Sequence, residues 1–344
     1  MKKFGKILTL FIIIFLLAVS PVFSQIDIPS LEDLTDVVDG FSSSISKALP
    51  FNSTMGLNWS DAYIGKLIGV PPHFGIGLSF GATSMKIGSI SGLANMLGIE
   101  MPANLPLGFP LPGYTVEARI GGFILPFDVG IKFGYMNMHT ASVPVVNSLG
   151  MDVAIKYQLM GADIRYAIID SKVMPIKLSV GAGINRLEGG LSTTVKNMGK
   201  EFSFDNPVTE SESTLSFSDP DLGLLWETTC VELKVHVSFP ILIVTPYAGL
   251  GASWAWSKAG YRVKTDIEVD GKPITDDVYD AIKELGVTGI SQNGFESMQD
   301  VESFNLRFFA GISFNLAMIR IDITGMYNIL DTGFGVTFGL RFQL

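Results

Sequence analysis

The stretch GFGVTFGLRFQL, from Gly333 to Leu344, constrains the fold of this chain more than any other feature. Apolar side chains occupy every second position, and glycine, threonine, arginine or glutamine lies between them. Side chains that alternate with a period of two belong to a β-strand, because successive residues of a strand point to opposite faces. The stretch therefore predicts a strand with one wholly apolar face and one polar face.

The same alternation recurs between residue 73 and this last strand. It begins again near residues 74, 114, 127, 153, 176, 231, 248, 304 and 319. Between residues 153 and 168 the apolar positions change phase, which predicts a bulge near Gly161. Before that bulge, Lys156 and Gln158 are expected on the polar face. The pattern predicts about 10 strands, within a range of about 10 to 14.

The two faces decide between a soluble sandwich and a membrane barrel. Only 17% of the residues are charged, against roughly a quarter in average proteins, which is sparse for a water-exposed sheet. Strands of about 10 residues cross a bilayer at a tilt, and short connections alternate with long ones, as in bacterial outer-membrane barrels. We therefore predict an all-β fold, a transmembrane antiparallel β-barrel over residues 73–344. Its short turns and both termini are expected in the periplasm, and its long loops outside.

Residues 1–24 have the features of a secretory signal peptide. Three lysines precede an apolar run from Ile7 to Val19, which is too short to span a bilayer and is followed by small residues. Cleavage is expected before Gln25, and the exported chain is expected in the outer membrane. Cys230 is the single cysteine, so no disulfide can form within the chain.

Residues 25–72 do not alternate and are expected to form a separate N-terminal segment. A helix is predicted there that Ser30 caps and Pro50 ends. Its apolar face comprises Leu31, Leu34, Val38, Phe41, Ile45 and Leu49. Because an apolar stripe must be covered, the helix either enters the barrel as a plug or lies as a periplasmic segment across the barrel mouth.

Charged residues on the polar faces of the strands are expected to point into the lumen. These candidates for lumen or transport sites are Glu117, Arg119, Asp128, Lys132, Lys156, Arg165, Lys177, Glu232, Lys234, His236, Arg307, Arg320, Asp322 and Arg341. Both signs are present, which leaves two interpretations open. The charges pair with one another across a narrow interior, or they line a water-filled or substrate path.

Two long connections carry patterns of their own. The loop from Ser84 to Gly113 is unusually apolar, and its candidate ligand-contacting residues are Leu93, Met96, Leu97, Leu105, Leu107 and Phe109. This loop either gathers a lipophilic small molecule or packs on itself. The loop from Thr265 to Ser303 is rich in acidic residues, and its stretch from Thr275 to Gly286 predicts a short helix.

Several function classes receive no support from the sequence. The formal net charge of -9 argues against a nucleic-acid partner, because phosphate binding needs clustered lysine and arginine. The three histidines, His73, His139 and His236, lie near no recognisable nucleophile or metal-ligand motif. We therefore expect no enzyme activity, no catalytic residues, no metal and no cofactor.

The C-terminal strand also resembles the assembly signal of bacterial outer-membrane barrels. The residues that carry the resemblance are Thr337, Gly339, Phe342 and Leu344, and Leu344 stands where phenylalanine is usual. The resemblance implies insertion into outer-membrane lipid by the barrel assembly machinery. The last strand is expected to pair with the first, because an open edge in hydrocarbon would leave backbone groups unpaired.

An N-terminal segment beside a barrel loosely resembles the FadL family of hydrophobic-substrate transporters, which place a hatch inside the barrel. The family's Asn-Pro-Ala motif is absent from the N-terminal segment here, and fewer strands are predicted than the family has. The resemblance implies passive transport of small lipophilic molecules across the outer membrane. The alternative is a structural or adhesive surface-exposed protein with a filled lumen.

Overall fold

The computed structural model of the chain describes residues 31–68, 72–86, 108–139, 153–171, 175–194, 200–206, 211–219, 221–273, 290–291 and 294–344. Within these ranges, helix α1 comprises Leu31–Ser53. The strands are β1 (Phe74–Met85), β2 (Phe109–Gly121), β3 (Phe127–His139), β4 (Val153–Asp170), β5 (Lys177–Thr194), β6 (Lys200–Asn206), β7 (Ser211–Phe217), β8 (Asp221–Ser238), β9 (Val244–Lys264), β10 (Ile267–Val269), β11 (Lys272–Pro273), β12 (Ile290–Ser291), β13 (Gly294–Leu316), β14 (Ile319–Asn328) and β15 (Gly333–Gln343). None of the helical residues described forms a segment long and apolar enough to cross a bilayer.

Ten of the described strands form a closed antiparallel barrel. They follow one another around the wall in the order β1, β2, β3, β4, β5, β8, β9, β13, β14 and β15. The last strand pairs with the first, from Gly75 opposite Gln343 to Thr83 opposite Gly335. Closure pairs the backbone of every wall strand on both sides, which is what a membrane-spanning sheet requires. The prediction of about 10 strands in an antiparallel barrel is confirmed.

The two ends of the barrel differ in their connections. At one end, which we call the short-turn end, residues 122–126, 171–176, 239–243 and 317–318 join consecutive wall strands. The opposite end, which we call the long-loop end, carries every other connection, of which residues 329–332 are the shortest. This alternation agrees with the sequence, which assigns the short-turn end to the periplasm.

The wall is taller on one side than on the other. Strands β5, β8, β9 and β13 have 18, 18, 21 and 23 residues, whereas β1 and β15 have 12 and 11. At the long-loop end, β6, β7, β10 and β11 form a separate four-stranded sheet. Parts of the predicted loops are therefore strand: β2 already begins at Phe109, and β13 at Gly294. The loop candidates Leu93 to Leu107 and the predicted helix at 275–286 lie outside the described residues.

The outward face of the wall is apolar up to a definite level. On β5, β8, β9 and β13, neighbouring outward residues form one apolar row of Ile184, Val231, Trp254 and Phe304. The next row towards the long-loop end is Arg186, Thr229, Trp256 and Glu302, followed by Glu188, Glu227, Lys258 and Asp300. Such a change from apolar to charged side chains marks the edge of the hydrocarbon layer, and tryptophans at this edge are typical of membrane barrels.

The phase of β4 differs from the prediction. Tyr157 and Leu159 face the interior and are buried, whereas Lys156 is exposed on the outer face. The pairing of β4 with β5 continues without a shift through Gly161, and the irregularity lies between Ala167 and Ile169. The sequence prediction assumed that apolar residues face lipid, but here apolar residues face an apolar occupant of the lumen.

Helix α1 passes the predicted stop at Pro50 and ends at Ser53. Proline removes one backbone donor, but it does not prevent the next residues from completing the turn. The hydroxyl of Ser53 donates to the carbonyl of Pro50 at 2.8 Å, and the hydroxyl of Thr54 donates to the carbonyl of Phe51 at 2.7 Å. Side-chain hydrogen bonds thus satisfy carbonyls at the helix end.

Candidate functional site

Residues 42–64 lie within the barrel, with only Lys47 exposed among them, and we call them the luminal segment. From Leu49 to Ile64 every side chain is buried. At its end the backbone N–H of Ile64 donates to Asp128 Oδ2 at 3.1 Å, and Asp128 lies at the short-turn end of β3. Earlier in the segment, Asn52 Nδ2 donates to Thr83 Oγ1 at 2.9 Å, near the long-loop end of β1. The segment therefore runs along the barrel axis.

The helix gives way to an extended coil at Gly56. This glycine has a φ of +78°, and a Cβ there would lie 2.5 Å from Thr115 Oγ1 and 2.8 Å from Glu117 Oε1. A left-handed backbone so close to the wall requires glycine. Beyond this point the coil cannot satisfy its own backbone groups, so the wall must supply hydrogen-bond partners for them.

Wall side chains accept hydrogen bonds from the coil's backbone N–H groups. Leu57 N donates to Glu117 Oε2 at 2.9 Å, and Ala62 N donates to the hydroxyl of Ser238 at 3.0 Å. Glu117 Oε2 also accepts from the indole Nε1 of Trp59 at 2.6 Å. Glu117 is 2% exposed, so its carboxylate serves the segment and not solvent.

Wall cations donate to the segment's backbone carbonyls. Lys132 Nζ lies 2.7 Å from the carbonyl oxygen of Ser53 and 2.6 Å from that of Met55. Arg165 Nη1 donates to the carbonyl of Asp61 at 2.7 Å, and Lys177 Nζ donates to that of Tyr63 at 2.9 Å. Hydrogen bonds from charged donors are among the stronger ones in proteins.

Two buried carboxylates on the wall hold the arginines beneath the coil. Asp128 lies 2.5 Å from Arg119 Nη1 and 2.8 Å from Arg165 Nε. Asp163 lies 2.6 Å from Arg119 Nη2 and 2.5 Å from Lys234 Nζ. The pair of Arg119 with Asp163 crosses strand β3 at Gly130, where a Cβ would lie 2.6 Å from both side chains. Glycine at this position therefore leaves room for the ion pair.

A third buried carboxylate belongs to the segment itself. Asp61 Oδ2 lies 3.2 Å from Arg320 Nη1 and 3.3 Å from Arg341 Nη2, and it accepts from Gln343 Nε2 at 3.1 Å. A buried charge is tolerated only when it is paired and hydrogen-bonded. The carboxylate of Asp61 meets this condition through its three partner side chains. Asp61 therefore ties the coil to the last two strands.

The remaining luminal charges also have partners. Arg307 lies 2.7 Å from Glu232 and donates to Asn58 Oδ1 of the segment at 3.1 Å. Arg341 lies 2.8 Å from Asp322, and its guanidinium stands 4.8 Å from the centre of the Trp59 ring, within the range of a cation–π contact.

The long-loop half of the lumen is apolar instead. Ile45 and Leu49 of α1 are buried in one cluster with Met85, Tyr157, Leu159, Leu187 and Ala259. A second cluster, closer to the short-turn end, contains Phe51 and Met55 packed with Tyr247, Phe309 and Met326. A helix bonds its own backbone internally, so an apolar wall can cover it without loss.

The structure brings most of the predicted lumen residues to this one interior. Buried there are Glu117, Arg119, Asp128, Lys132, Arg165, Glu232, Lys234, His236, Arg307, Asp322 and Arg341. Lys177 and Arg320 are half-buried, and Lys156 is on the outer face. The ring of His236 packs against Tyr247 and Phe309, with centroid distances of 5.6 and 5.3 Å. His236 therefore belongs to the packing of the interior.

Sequence reasoning missed several residues of this interior. Asp163 shares a face with Arg165 two positions later, so the alternation could have identified it. Asn52, Trp59 and Asp61 had no such signal, because they lie in a segment without strand periodicity. Among the described residues, no group of three or more His, Cys, Asp or Glu side chains could hold a metal ion.

The residues of the proposed assembly signal lie in the seam of the barrel. Thr337 is buried opposite Gly81, and Gly339 pairs with Ser79. Phe342 points outward and is 39% exposed. The backbone N–H of Leu344 donates to the carbonyl of Phe74 at 3.0 Å, so the C-terminal residue is bonded to the start of β1 at the short-turn end.

The described part of the chain before β1 leads away from the end at which the chain finishes. The C-terminal residue lies at the short-turn end, whereas the luminal segment approaches the long-loop end as it is followed towards α1. The N-terminal residue lies outside the described residues, so the expectation of two periplasmic termini stays a prediction. That expectation counted strands only, and an interior segment adds one further passage along the barrel.

Comparison with known proteins finds one family and several outer-membrane barrels of related fold. Residues 65–344 match a protein family described as Lsa36-like, and no curated protein matches the chain. Ail, the attachment invasion locus protein of Yersinia pestis, is similar in structure at 12% identity, over 79% of this chain and 97% of that chain, with a TM-score of 0.29. The outer membrane protease OmpT from Escherichia coli is similar at 9% identity, over 80% and 97%, with a TM-score of 0.37.

A third solved structure, a major outer membrane protein from Thermus thermophilus, is similar at 9% identity, over 79% of this chain and 98% of that chain, with a TM-score of 0.30. The closed wall, its apolar outer face and its polar interior are the features of an outer-membrane β-barrel, and the outer membrane is where this protein resides.

Proposed function

We propose that this chain, which belongs to the Lsa36-like family, is a sealed outer-membrane β-barrel that acts at the cell surface in a structural or adhesive role. In this proposal the luminal segment is a plug, and the long-loop end is the functional surface. The outer face contacts membrane lipid, and the barrel assembly machinery reads the C-terminal strand. The protein has no enzyme activity of its own.

One observation carries this proposal. The luminal segment is buried without interruption from Leu49 to Ile64, and the wall bonds it at both ends of that run. Opening a pore would separate Glu117 from Leu57 and Asp61 from Arg341. Buried charges that lose their partners cost about 3–5 kcal/mol each, so a passive channel through this interior is unfavourable.

The shape of the long-loop end supports a role at the surface. The outward face becomes charged at Arg186 and Glu302, and β5 continues from this level to Thr194. Strand β9 likewise continues to Lys264. The tall side of the wall therefore projects beyond the hydrocarbon layer, together with the four-stranded sheet. A projecting wall offers area for contact with another surface and adds nothing to a simple diffusion pore.

Conductance of the full-length protein in planar lipid bilayers tests the sealed barrel. We expect no steady channel current from the wild-type protein. The variant Asp128→Asn, which weakens the ion pairs with Arg119 and Arg165, should show brief openings. The matched variant Asp300→Asn, at an outward carboxylate that is 79% exposed, should stay silent. A steady open current from the wild-type protein would refute the proposal.

A second candidate function is passive transport of small lipophilic molecules. It is favoured by the apolar half of the lumen, where Met85 ends the strand that leads into the apolar loop. The resemblance to FadL transporters belongs to this candidate. Uptake of a fluorescent lipophilic dye into proteoliposomes should then fall when Leu93 and Leu97 are replaced by serine. If protein-free liposomes and liposomes with the wild-type or the variant protein all took up the dye equally, this result would count against transport.

A further inference from the structure

When the luminal segment is followed towards the N-terminus, it contacts the wall at levels progressively closer to the long-loop end. Ile64 bonds to Asp128, the second residue of β3 at the short-turn end. Leu57 bonds to Glu117, which lies four residues inside the end of β2. These contacts fix the direction of the coil, because each earlier residue of the chain meets the wall at a higher level.

Helix α1 continues in the same direction towards the long-loop end. Asn52 bonds to Thr83, two residues before the end of β1. Ile45 belongs to the cluster that includes Met85, the last residue of β1. On the side of β1, the helix has therefore reached the rim of the wall at the level of Ile45.

Helix α1 does not end at this rim. It extends from Ile45 back to Leu31, and 14 further residues at 1.5 Å each add about 21 Å of helix. Gly40 is already exposed, and no atom lies within 4 Å of a Cβ placed there. A helix axis continued in this direction leaves the barrel through the long-loop end.

We infer that the chain is threaded through its own barrel, so that helix α1 from Leu31 to about position 41 is displayed on the outer surface of the cell. The expected arrangement, with the N-terminus in the periplasm, would require the opposite direction of the segment. In the structure the luminal segment is followed at the short-turn end by residues 65–68, where the N–H of Leu67 donates to the carbonyl of Gly122 in a short turn. Only one passage of the chain through the lumen is needed.

Threading places the start of helix α1 on the same side as the long loops. The barrel then anchors an N-terminal helix at the cell surface, and this helix adds to the surface offered by the tall wall. The charges around Asp61 and Asp128 act as the lower anchor, and the apolar cluster around Leu49 acts as the upper one. The inference rests on the proposed plug and on the orientation of the barrel, but it concerns the direction of the segment.

Threading also constrains assembly. The seam between β1 and β15 is closed by pairs from Gly75 and Gln343 to Thr83 and Gly335, and the buried coil lies behind it with Asp61 bonded to Gln343 of β15. A segment enclosed on all sides enters most simply before the seam closes.

Labelling of single cysteines on intact cells tests the inference. The probe is a membrane-impermeant maleimide, and the native Cys230, which is buried, gives the background in the wild-type protein. The reporter is Gly40→Cys on α1. Lys272→Cys reports the long-loop end, and Ile124→Cys, at a side chain that is 77% exposed, reports the short-turn end.

We expect Gly40→Cys and Lys272→Cys to label on intact cells at least tenfold above wild-type background. Ile124→Cys should label only after the outer membrane is permeabilised. If Gly40→Cys follows Ile124→Cys instead, threading is overturned while the barrel orientation stands. If Lys272→Cys and Ile124→Cys exchange behaviour, the surface display of the helix is overturned with the orientation.

Folding and sealing are measured separately in the same samples. Each variant should keep the wild-type shift in gel mobility between unheated and boiled protein, which reports a folded barrel. An epitope inserted after Ile28 gives a second readout, and antibody binding to intact cells is expected only if the chain is threaded. Conductance reports whether the lumen is sealed, so a leaky but threaded barrel and a sealed but unthreaded one give different results.

Discussion

The two halves of the lumen hold the same segment by different chemistry. Near the short-turn end, charged wall side chains such as Glu117 and Lys132 bond to the backbone of a coil. Near the long-loop end, apolar side chains such as Leu159 and Leu187 pack against α1. The conformation of the segment explains the difference, because a coil exposes its backbone groups and a helix does not.

This difference shows that the polarity of the inner wall matches the conformation of the segment packed against it. Where the occupant is coil, the wall supplies ions and hydroxyls as hydrogen-bond partners. Where the occupant is helix, the wall can be as apolar as the outer face. The stretch of β4 at Tyr157 and Leu159 has apolar residues directed inward for this reason.

The largest expected effect is on the polar half. Asp128→Ala leaves Arg119 and Arg165 buried without this carboxylate, and removing one member of such a group costs about 3–5 kcal/mol. Urea unfolding in detergent, followed by tryptophan fluorescence, should show this loss. Asp300→Ala, at the exposed pair with Lys258, should change stability by less than about 1 kcal/mol. Equal effects would remove the distinction between buried and surface charges.

A smaller loss is expected when the apolar half is truncated. Leu49→Ala opens a cavity beside α1 and should cost about 2–4 kcal/mol. Hydrogen exchange should quicken in residues 42–53 and stay unchanged in residues 56–64, because the coil is held by the wall charges. Leu330→Ala, at a loop residue that is 53% exposed, is the control. Quickened exchange along the whole segment would show that the two halves act as one unit.

A more limited loss is expected when one luminal charge is neutralised without a change of shape. Asp61→Asn keeps a hydrogen-bonding side chain of the same size, and Arg341 retains its pair with Asp322. The free energy of unfolding should therefore fall by only about 1–3 kcal/mol. Hydrogen exchange should quicken in residues 56–64 and stay unchanged in residues 42–53, the reverse of the pattern for Leu49→Ala. Quickening confined to α1 would contradict the role of Asp61 as the anchor of the coil.

The smallest effect is expected outside the lumen. Glu227→Gln removes one partner of Arg186 at an exposed ion pair 3.0 Å long. Because such pairs are screened by solvent, stability should change by about 0–1 kcal/mol in the same urea unfolding measurement. A loss comparable to that of Asp61→Asn would show that the charged row at the membrane edge is structural.

Much of the barrel could be predicted from sequence because lipid requires apolar side chains at every outward position of the wall. Every outward position from Ile76 to Phe80 is apolar, and the same holds for Phe338 and Leu340. The charged residues between such positions therefore point inward, as Arg119 and Arg341 do. The prediction was wrong at Tyr157, where the apolar neighbour is protein.

The partners of the luminal charges could not be predicted in the same way. Asp61 meets Arg341 at a separation of 280 residues, and Arg307 meets Asn58 at a separation of 249. No pattern within a strand indicates such pairs. The predicted helix end at Pro50 was also wrong, because the hydroxyls of Ser53 and Thr54 complete the helix end.

The sequence by itself determined the wall: its strands, their alternation and the closing of the last strand on the first. These follow from the side-chain period of two and from the need to pair all backbone groups in hydrocarbon. Only the tertiary structure decided which residues lie inside the wall and which wall side chains bond to them. Those features depend on contacts between residues far apart in the chain, and local periodicity carries no information about them.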